Sequence, residues 1–403
     1  MRVLQINACY SDGSTGANTR DIHRWLLARG EESFVAVPGF QRQKESGFYA
    51  IGNPFDRRVH ALVSRITGYQ AYGSAGATRA LCRYIDKIAP DVIHLQNVHS
   101  HFLHLPLLLR FIAKRKGALC LTLHDCWFFT GRCVHYTESG CARWQIGCGR
   151  CPKNYHGIKT WFFDRSAEMA RTRQRLFVEI DRLGVIGVSD WVLNQARRSY
   201  ILGSHPTARW RRLYNWVDDK VFKPTDSALL RSTLGIPEGG KMILGVSSPW
   251  SDRKGLSLFL DIAPLLAPNE KIVLVGPLPA RTLPANIVTV GKVGDPTLLA
   301  RYYGAADIFV QGSREETFGK VTAESLLCGT PAAVVDSTGN TELIHPGCGL
   351  LIPPRASAAE VLASLRATMA LPKPVDICRA DAQARFTPEK ILPAHFEFYA
   401  SLL

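Results

Sequence analysis

The sequence predicts an α/β protein made of two successive domains, each a parallel sheet with helices on both faces. Three observations carry the prediction. The chain has 403 residues, and a division into two domains of roughly 200 residues is expected at that length. Short apolar, β-rich runs alternate with helical patterns from end to end, which is the mark of β–α–β units. A basic excess stops near residue 213, where a new series of such units opens.

The elements follow in order. VLQI (3–6) is a short buried-strand pattern, followed by a helical pattern over 16–29 and by SFVAV (33–37). A helix over 75–88 leads to VIHL (92–95), and LCLTL (119–123) follows. Helices over 166–181 and 190–201 flank LGVIGVS (183–189). Near Asn215, RLYNWVDDKVFKPTD brings turn residues, a charge pair and a proline together, which marks a boundary. The second series comprises strands MILGVS (242–247), KIVLVG (271–276), IVTVG (287–291), IFVQG (308–312) and PAAVV (331–335). Helices over 255–266, 296–305 and 319–328 lie between them. The expected domains are 1–212 and 213–385, with a helix over 386–403 packing back toward the first. An eight-fold barrel would need more even spacing.

Apolar residues make up 46% and charged residues 21%, which suits a soluble globular protein. No apolar run reaches the ~18 residues of a membrane span. The opening MRVLQINACYSDG has neither basic flank nor long apolar core, so it does not read as a signal peptide. A cytoplasmic protein is expected, with reduced thiols. Residues 1–212 carry 31 Lys and Arg against 15 Asp and Glu, and residues 213–403 carry 18 against 19. The first domain is therefore expected to meet an anionic partner.

Three segments carry candidate chemistry. After VLQI, Gly13 and Gly16 fall in the turn before a helix, where free N–H groups favour an anion. No G-x-G-x-x-G or ribose-spaced acid follows, which argues against a nicotinamide cofactor. In SREETFGKVTAESLLCGTPAAVV (313–335), Glu316 and Glu324 stand eight residues apart around a helix start. Both can face a pocket there, beside the amides of Phe318, Gly319 and Lys320. GRCVHYTESGCARWQIGCGRCP (131–152) spaces Cys133, Cys141, Cys148 and Cys151 as C-x7-C-x6-C-x2-C. The terminal C-x2-C is the bite thiolate zinc prefers, and four thiolates would make the metal structural. The alternatives are buried thiols, a disulfide pair or an iron–sulfur cluster.

The segment Ser313–Pro331 resembles the E-x7-E signature of retaining glycosyltransferase family 4. Other motifs agree in order: PDVIHLQNVH (90–99), LTLHDCW (121–127), LYNWVDDKVFKP (213–224), SDRKGL (251–256) and ARYYGAADIFV (300–310). Within the family, the HD-x-W-x-x-T-G-x-C segment is similar to enzymes that assemble bacterial colanic acid, capsular and other surface polysaccharides. The resemblance implies two Rossmann-like domains facing across a cleft, the GT-B arrangement. It places a nucleotide sugar, UDP- or GDP-linked, on the second domain and a lipid-linked saccharide acceptor on the basic first domain.

It also implies roles. Glu324 meets the donor ribose, Glu316 the transferred sugar's hydroxyls, and the amides of Phe318 and Gly319 the sugar and diphosphate, with Lys320 counted on the donor side. Lys254 neutralises the leaving diphosphate, and Gly16 and Val293 complete the donor side. The family's Arg five residues before this Lys is Pro249 here, which leaves Arg253 as the candidate second cation. His124 lies near the sugar and acceptor, with Asp125 to orient it. His94, His99, His101 and His104 read as acceptor-side or structural. Configuration is retained by a front-face path without a protein nucleophile, and no catalytic metal is expected.

Two other readings compete: a nucleotide-sugar epimerase of the same shape, and a basic nucleic-acid-binding protein. No nucleic-acid module is recognisable, and the basic residues are dispersed over segments read as helices, such as RRSY and ARWRR. An anionic membrane surface is the expected docking partner, met through VHALVSRITGYQAYG (59–73) and LLLRFIAKRKG (107–117) at the inner face of the cell membrane.

Overall fold

The structure, a computed structural model, describes residues 1–41, 47–155 and 158–403. The chain divides into two compact units. The first takes Met1–Leu213 and Leu392–Leu403, and the second takes Tyr214–Ile391.

In the first unit, strands β1 (Arg2–Ile6), β2 (Glu32–Pro38), β3 (Phe48–Ile51), β4 (Val92–Leu95), β5 (Ala118–Leu123), β6 (Leu183–Gly187) and β7 (Arg209–Arg212) form one sheet. Their order is β3-β2-β1-β4-β5-β6-β7, and every pairing is parallel. The strand order reverses between β1 and β4, so this sheet has its switch point at the carboxyl ends of those strands. β4, β5 and β6 are buried throughout, which explains their continuous apolar runs.

The second unit repeats the plan with β8 (Lys241–Val246), β9 (Glu270–Val275), β10 (Ile287–Val290), β11 (Ile308–Gln311), β12 (Ala332–Val335) and β13 (Gly349–Ile352). The order is β10-β9-β8-β11-β12-β13, again all parallel. Its switch point lies between β8 and β11. Parallel strands send all their carboxyl-end loops to one edge of the sheet, so residues 247–255, 291–295, 312–319 and 336–343 share that edge. A core of Ile243, Phe259, Leu274, Val310 and Leu365 fixes the helices to the sheet.

Several elements differ from the sequence reading. ARWRR is not helical: Arg209–Arg212 is edge strand β7, whose half-exposed RWRR lacks an apolar face. The helix expected over 190–201 ends at Arg197, so most of RRSY lies beyond it. The first helix begins at Gly13 rather than 16. LLLRFIAKRKG does not offer an apolar face, because Leu108, Leu109 and Ile112 of the helix Leu105–Ala113 are buried. Among the described residues no helix is long and apolar enough to cross a membrane.

Candidate active site

In the second unit the two sides of the switch point are joined by an ion pair. Lys254 ends the 3-10 turn Asp252–Lys254 after β8, and its Nζ lies 2.5 Å from Glu316 Oε1 in the loop after β11. Close backbone packing holds this geometry. A Cβ on Gly255 would come 2.3 Å from the Gly312 carbonyl carbon, so only glycine lets the two loops touch. The Ser313 hydroxyl donates to the Arg253 carbonyl at 3.2 Å, and the Glu316 amide donates to Thr338 Oγ1 at 2.9 Å. The Arg253 side chain itself is exposed.

The Phe318-Gly319 turn then opens the helix Lys320–Leu327. Gly319 has φ of 91°, and a Cβ there would meet Asn340 Oδ1 at 2.2 Å, so the turn needs glycine twice over. Phe318 is buried against Tyr214 and Phe386. Glu324 is only 8% exposed and accepts from the Tyr303 hydroxyl at 2.9 Å. Burial pushes its carboxyl up to about 7, opposed by the Lys320 cation and the Tyr303 hydrogen bond. The two carboxylates thus have separate partners, Lys254 and Tyr303, which spacing alone did not suggest. Val293 sits half-exposed three residues after β10, on the same edge.

In the first unit the switch point gathers polar side chains. Asn7 Nδ2, fully buried, donates to Cys9 O, Thr15 O and Thr19 Oγ1, which shapes the loop ahead of the first helix. Gly16 lies inside that helix's first turn, where a Cβ would stand 3.1 Å from Ser11 N. The buried amide of Gln96 links Gln5 Oε1, at 2.8 Å, to His124 Nε2, at 3.1 Å. Burial lowers the His124 pKa to about 4, so its ring is neutral near pH 7.

Asp125, expected to orient His124, is itself held by two other groups. One of its oxygens lies 2.9 Å from His99 Nε2 and the other accepts from the Trp127 amide at 2.8 Å. Of the other histidines, His94 is buried between Thr122 Oγ1 and the Tyr399 hydroxyl. His104 caps the helix Leu105–Ala113 by accepting from the Leu107 amide.

Cys133, Cys141, Cys148 and Cys151 line one small cavity together with Arg132, Tyr136, Arg143 and Trp144. The eleven cysteines, all among the described residues, form no disulfide. Sequence reasoning missed Gln96, Tyr303, Thr338 and Asn340. Only the small polar run STGN after β12 gave a signal for the last two.

Two doubly wound sheets, with a cation and a carboxylate across one switch point, are the frame of a glycosyltransferase. The chain belongs to glycosyltransferase family 4, whose model matches residues 16–221. A model described as glycosyl transferases group 1 matches residues 240–369. A relative in Escherichia coli (strain K12), named for colanic acid biosynthesis as glycosyl transferase WcaC, is 26% identical with both chains covered in full. A D-inositol 3-phosphate glycosyltransferase of Acidothermus cellulolyticus is 30% identical over 157 residues, 34% of this chain and 35% of that one.

Among solved structures, sucrose-phosphate synthase from Thermosynechococcus elongatus superposes with TM-score 0.73 at 18% identity, covering 100% of this chain and 99% of that one. Anabaena HepE, solved in complex with UDP, gives TM-score 0.67 at 18% identity, with both chains covered in full. These likenesses establish the GT-B fold.

Proposed function

We propose that this enzyme is a retaining hexosyltransferase that moves a sugar from a uridine or guanosine diphosphate donor to a hydroxyl of a lipid-linked saccharide in surface-polysaccharide assembly. The observation that carries the reading is the Lys254–Glu316 pair across the second switch point, beside the glycine turn that opens the helix Lys320–Leu327. Negative charge builds on the diphosphate as the glycosidic bond breaks, and a fixed cation with helix N–H groups stabilises it. On donor binding Lys254 exchanges Glu316 for phosphate, and Glu316 turns to the sugar hydroxyls. Glu324 receives the ribose hydroxyls. The leaving oxygen takes the acceptor's proton on the same face, so configuration is kept without a protein nucleophile. The first unit takes the acceptor, with neutral His124 as its hydrogen-bonding contact. The relative named for colanic acid biosynthesis and the neighbour solved with UDP support this assignment.

The same reading includes docking on the inner, anionic face of the cell membrane. The helix Pro54–Thr67 leaves Phe55, Val59, Leu62, Val63 and Ile66 exposed, residues that fall on one side of a 3.6-residue turn. Arg57, Arg58 and Arg65 are exposed on the same helix. The exposed Trp161 is tied to it by a hydrogen bond from its backbone N–H to the Arg65 carbonyl, with Phe162 and Phe163 exposed alongside. Apolar side chains flanked on one side by arginine fit the interface of an anionic bilayer.

The test is incubation with UDP-, GDP- and ADP-hexoses, with and without a lipid-linked oligosaccharide. One donor is expected to be consumed only when acceptor is present, giving a product of unchanged anomeric configuration by NMR. An epimerised sugar formed without acceptor, or an inverted product, overturns the reading. Vesicles containing phosphatidylglycerol should sediment the protein, and a Phe55→Ser/Leu62→Ser variant should stay in solution.

A further inference from the structure

The segment following His124 is unusual in its construction. From Asp125 to Arg165 the described residues form only three short 3-10 turns, Trp127–Phe129, Thr137–Ser139 and Arg143–Gln145. An irregular run this long inside a compact unit needs something other than secondary structure to order it. Part of the answer is Arg173, buried on the helix Ser166–Val178, whose guanidinium donates to the carbonyls of Trp127, Thr130 and Gly131. These acceptors are neutral, so the buried cation lacks a bonded counter-charge. The Gly131 amide in turn donates to Cys148 Sγ at 3.1 Å.

We propose that Cys133, Cys141, Cys148 and Cys151 bind one zinc ion as a closed tetrathiolate site that staples this segment. All four side chains line one cavity of about 20 Å³, room for a single small ion. Cys133 Sγ and Cys151 Sγ stand 4.0 Å apart. Zinc–sulfur bonds of ~2.3 Å in a tetrahedron separate two sulfurs by about 3.8 Å, whereas a disulfide needs about 2 Å.

The backbone of the C-x2-C turn is held by specific contacts. Gly147, Cys148, Gly149 and Arg150 all have positive φ, which is free for the glycines and for Cys148 and Arg150 persists only where surrounding contacts impose it. Those contacts are the Cys148 amide to Arg143 O, the Gly149 amide to Ser166 Oγ, and the Cys151 amide to Asp164 Oδ2. Arg132 and Arg143 line the same cavity. With Arg173 they offset the double negative charge of four thiolates around a divalent ion.

Among the described residues no group of three or more His, Cys, Asp or Glu side chains is placed to hold a metal ion as it stands. Binding therefore requires the thiols to turn into the cavity they line. With four protein ligands the site has no open position, so the ion is structural.

The site stands apart from the transfer reaction and is tested without it. Full-length protein purified under reducing, chelator-free conditions is expected to hold about one zinc per chain by elemental analysis. Cys151→Ser should lose most of it, whereas Cys82→Ser, a thiol outside the segment, should keep it. Because loss of a ligand can also unfold the chain, a second measurement uses the unaltered protein. A thiol-binding mercurial should release the zinc, and cobalt exchanged for zinc should show sulfur-to-cobalt charge transfer and intense tetrahedral bands. Less than about 0.3 zinc per chain, iron in its place, or a Cys133–Cys151 disulfide in non-reducing peptide maps overturns the proposal.

Discussion

Tyr303→Phe removes one hydrogen bond and leaves the ring that packs against Phe222 and Phe309. The lost bond is the 2.9 Å contact to Glu324 Oε2, which favours the ionised carboxylate against burial. A hydrogen bond to a charged group contributes about 1.5–3 kcal/mol, and each pKa unit corresponds to ~1.4 kcal/mol. The Glu324 pKa should therefore rise from about 7 by about one to two units. Ribose hydroxyls donate to the ionised form, so donor affinity follows the ionised fraction. At about pH 7.5 that fraction drops from roughly three-quarters to between roughly a quarter and 3%, a loss of about 3- to 25-fold. At about pH 9.5 both proteins are mostly ionised, and the gap should shrink below about twofold. Titration calorimetry of the nucleotide at the two pH values measures this. A deficit of equal size at both, or no deficit, refutes the assigned role of Glu324.

Three further outcomes follow from the same geometry. Lys254→Met should lower kcat by about 10²–10³-fold while the fold persists by circular dichroism, since one fixed donor to the developing charge is lost; a loss under about tenfold would remove Lys254 from the leaving-group site. Gly319→Ala should weaken nucleotide binding by at least about tenfold, because the positive φ costs about 1–2 kcal/mol before the contact with Asn340 is relieved; calorimetry showing wild-type affinity would count against the turn. The raised Glu324 pKa means that the folded state holds its proton where the unfolded state has lost it, between a pKa of 4.5 and about 7. Stability from this residue is therefore highest below that window and declines by about 3 kcal/mol across it. In urea denaturation without ligand, Glu324→Gln should gain on the parent protein as pH rises through the window, and a constant difference would exclude the effect.

The central strands were legible because full burial writes them as apolar runs: VIHL, LCLTL and MILGVS have no solvent face to interrupt them. The edge strands β3, β7 and β13 were not, because each is only partly buried and pairing with a neighbour is what makes them strands. The site divides similarly. Glu316, Glu324 and Lys254 could be picked out from ordered motifs, and the glycine turn from its composition. Gln96 and Tyr303 could not, since each is an ordinary polar residue until its partner from a distant segment arrives beside it.

The sequence alone determined the β–α alternation, the boundary near Asn215, the charge asymmetry and the family signature. These are local patterns, and burial and backbone periodicity impose them on neighbouring residues. Only the tertiary structure decided the pairings. Residues 62 positions apart meet as Lys254 and Glu316, Asp125 pairs with His99 across 26 positions, and Glu324 lies under Tyr303. The reason is physical: strand order decides which loops share a sheet edge, and that order is settled by packing across the whole unit rather than by any segment within it.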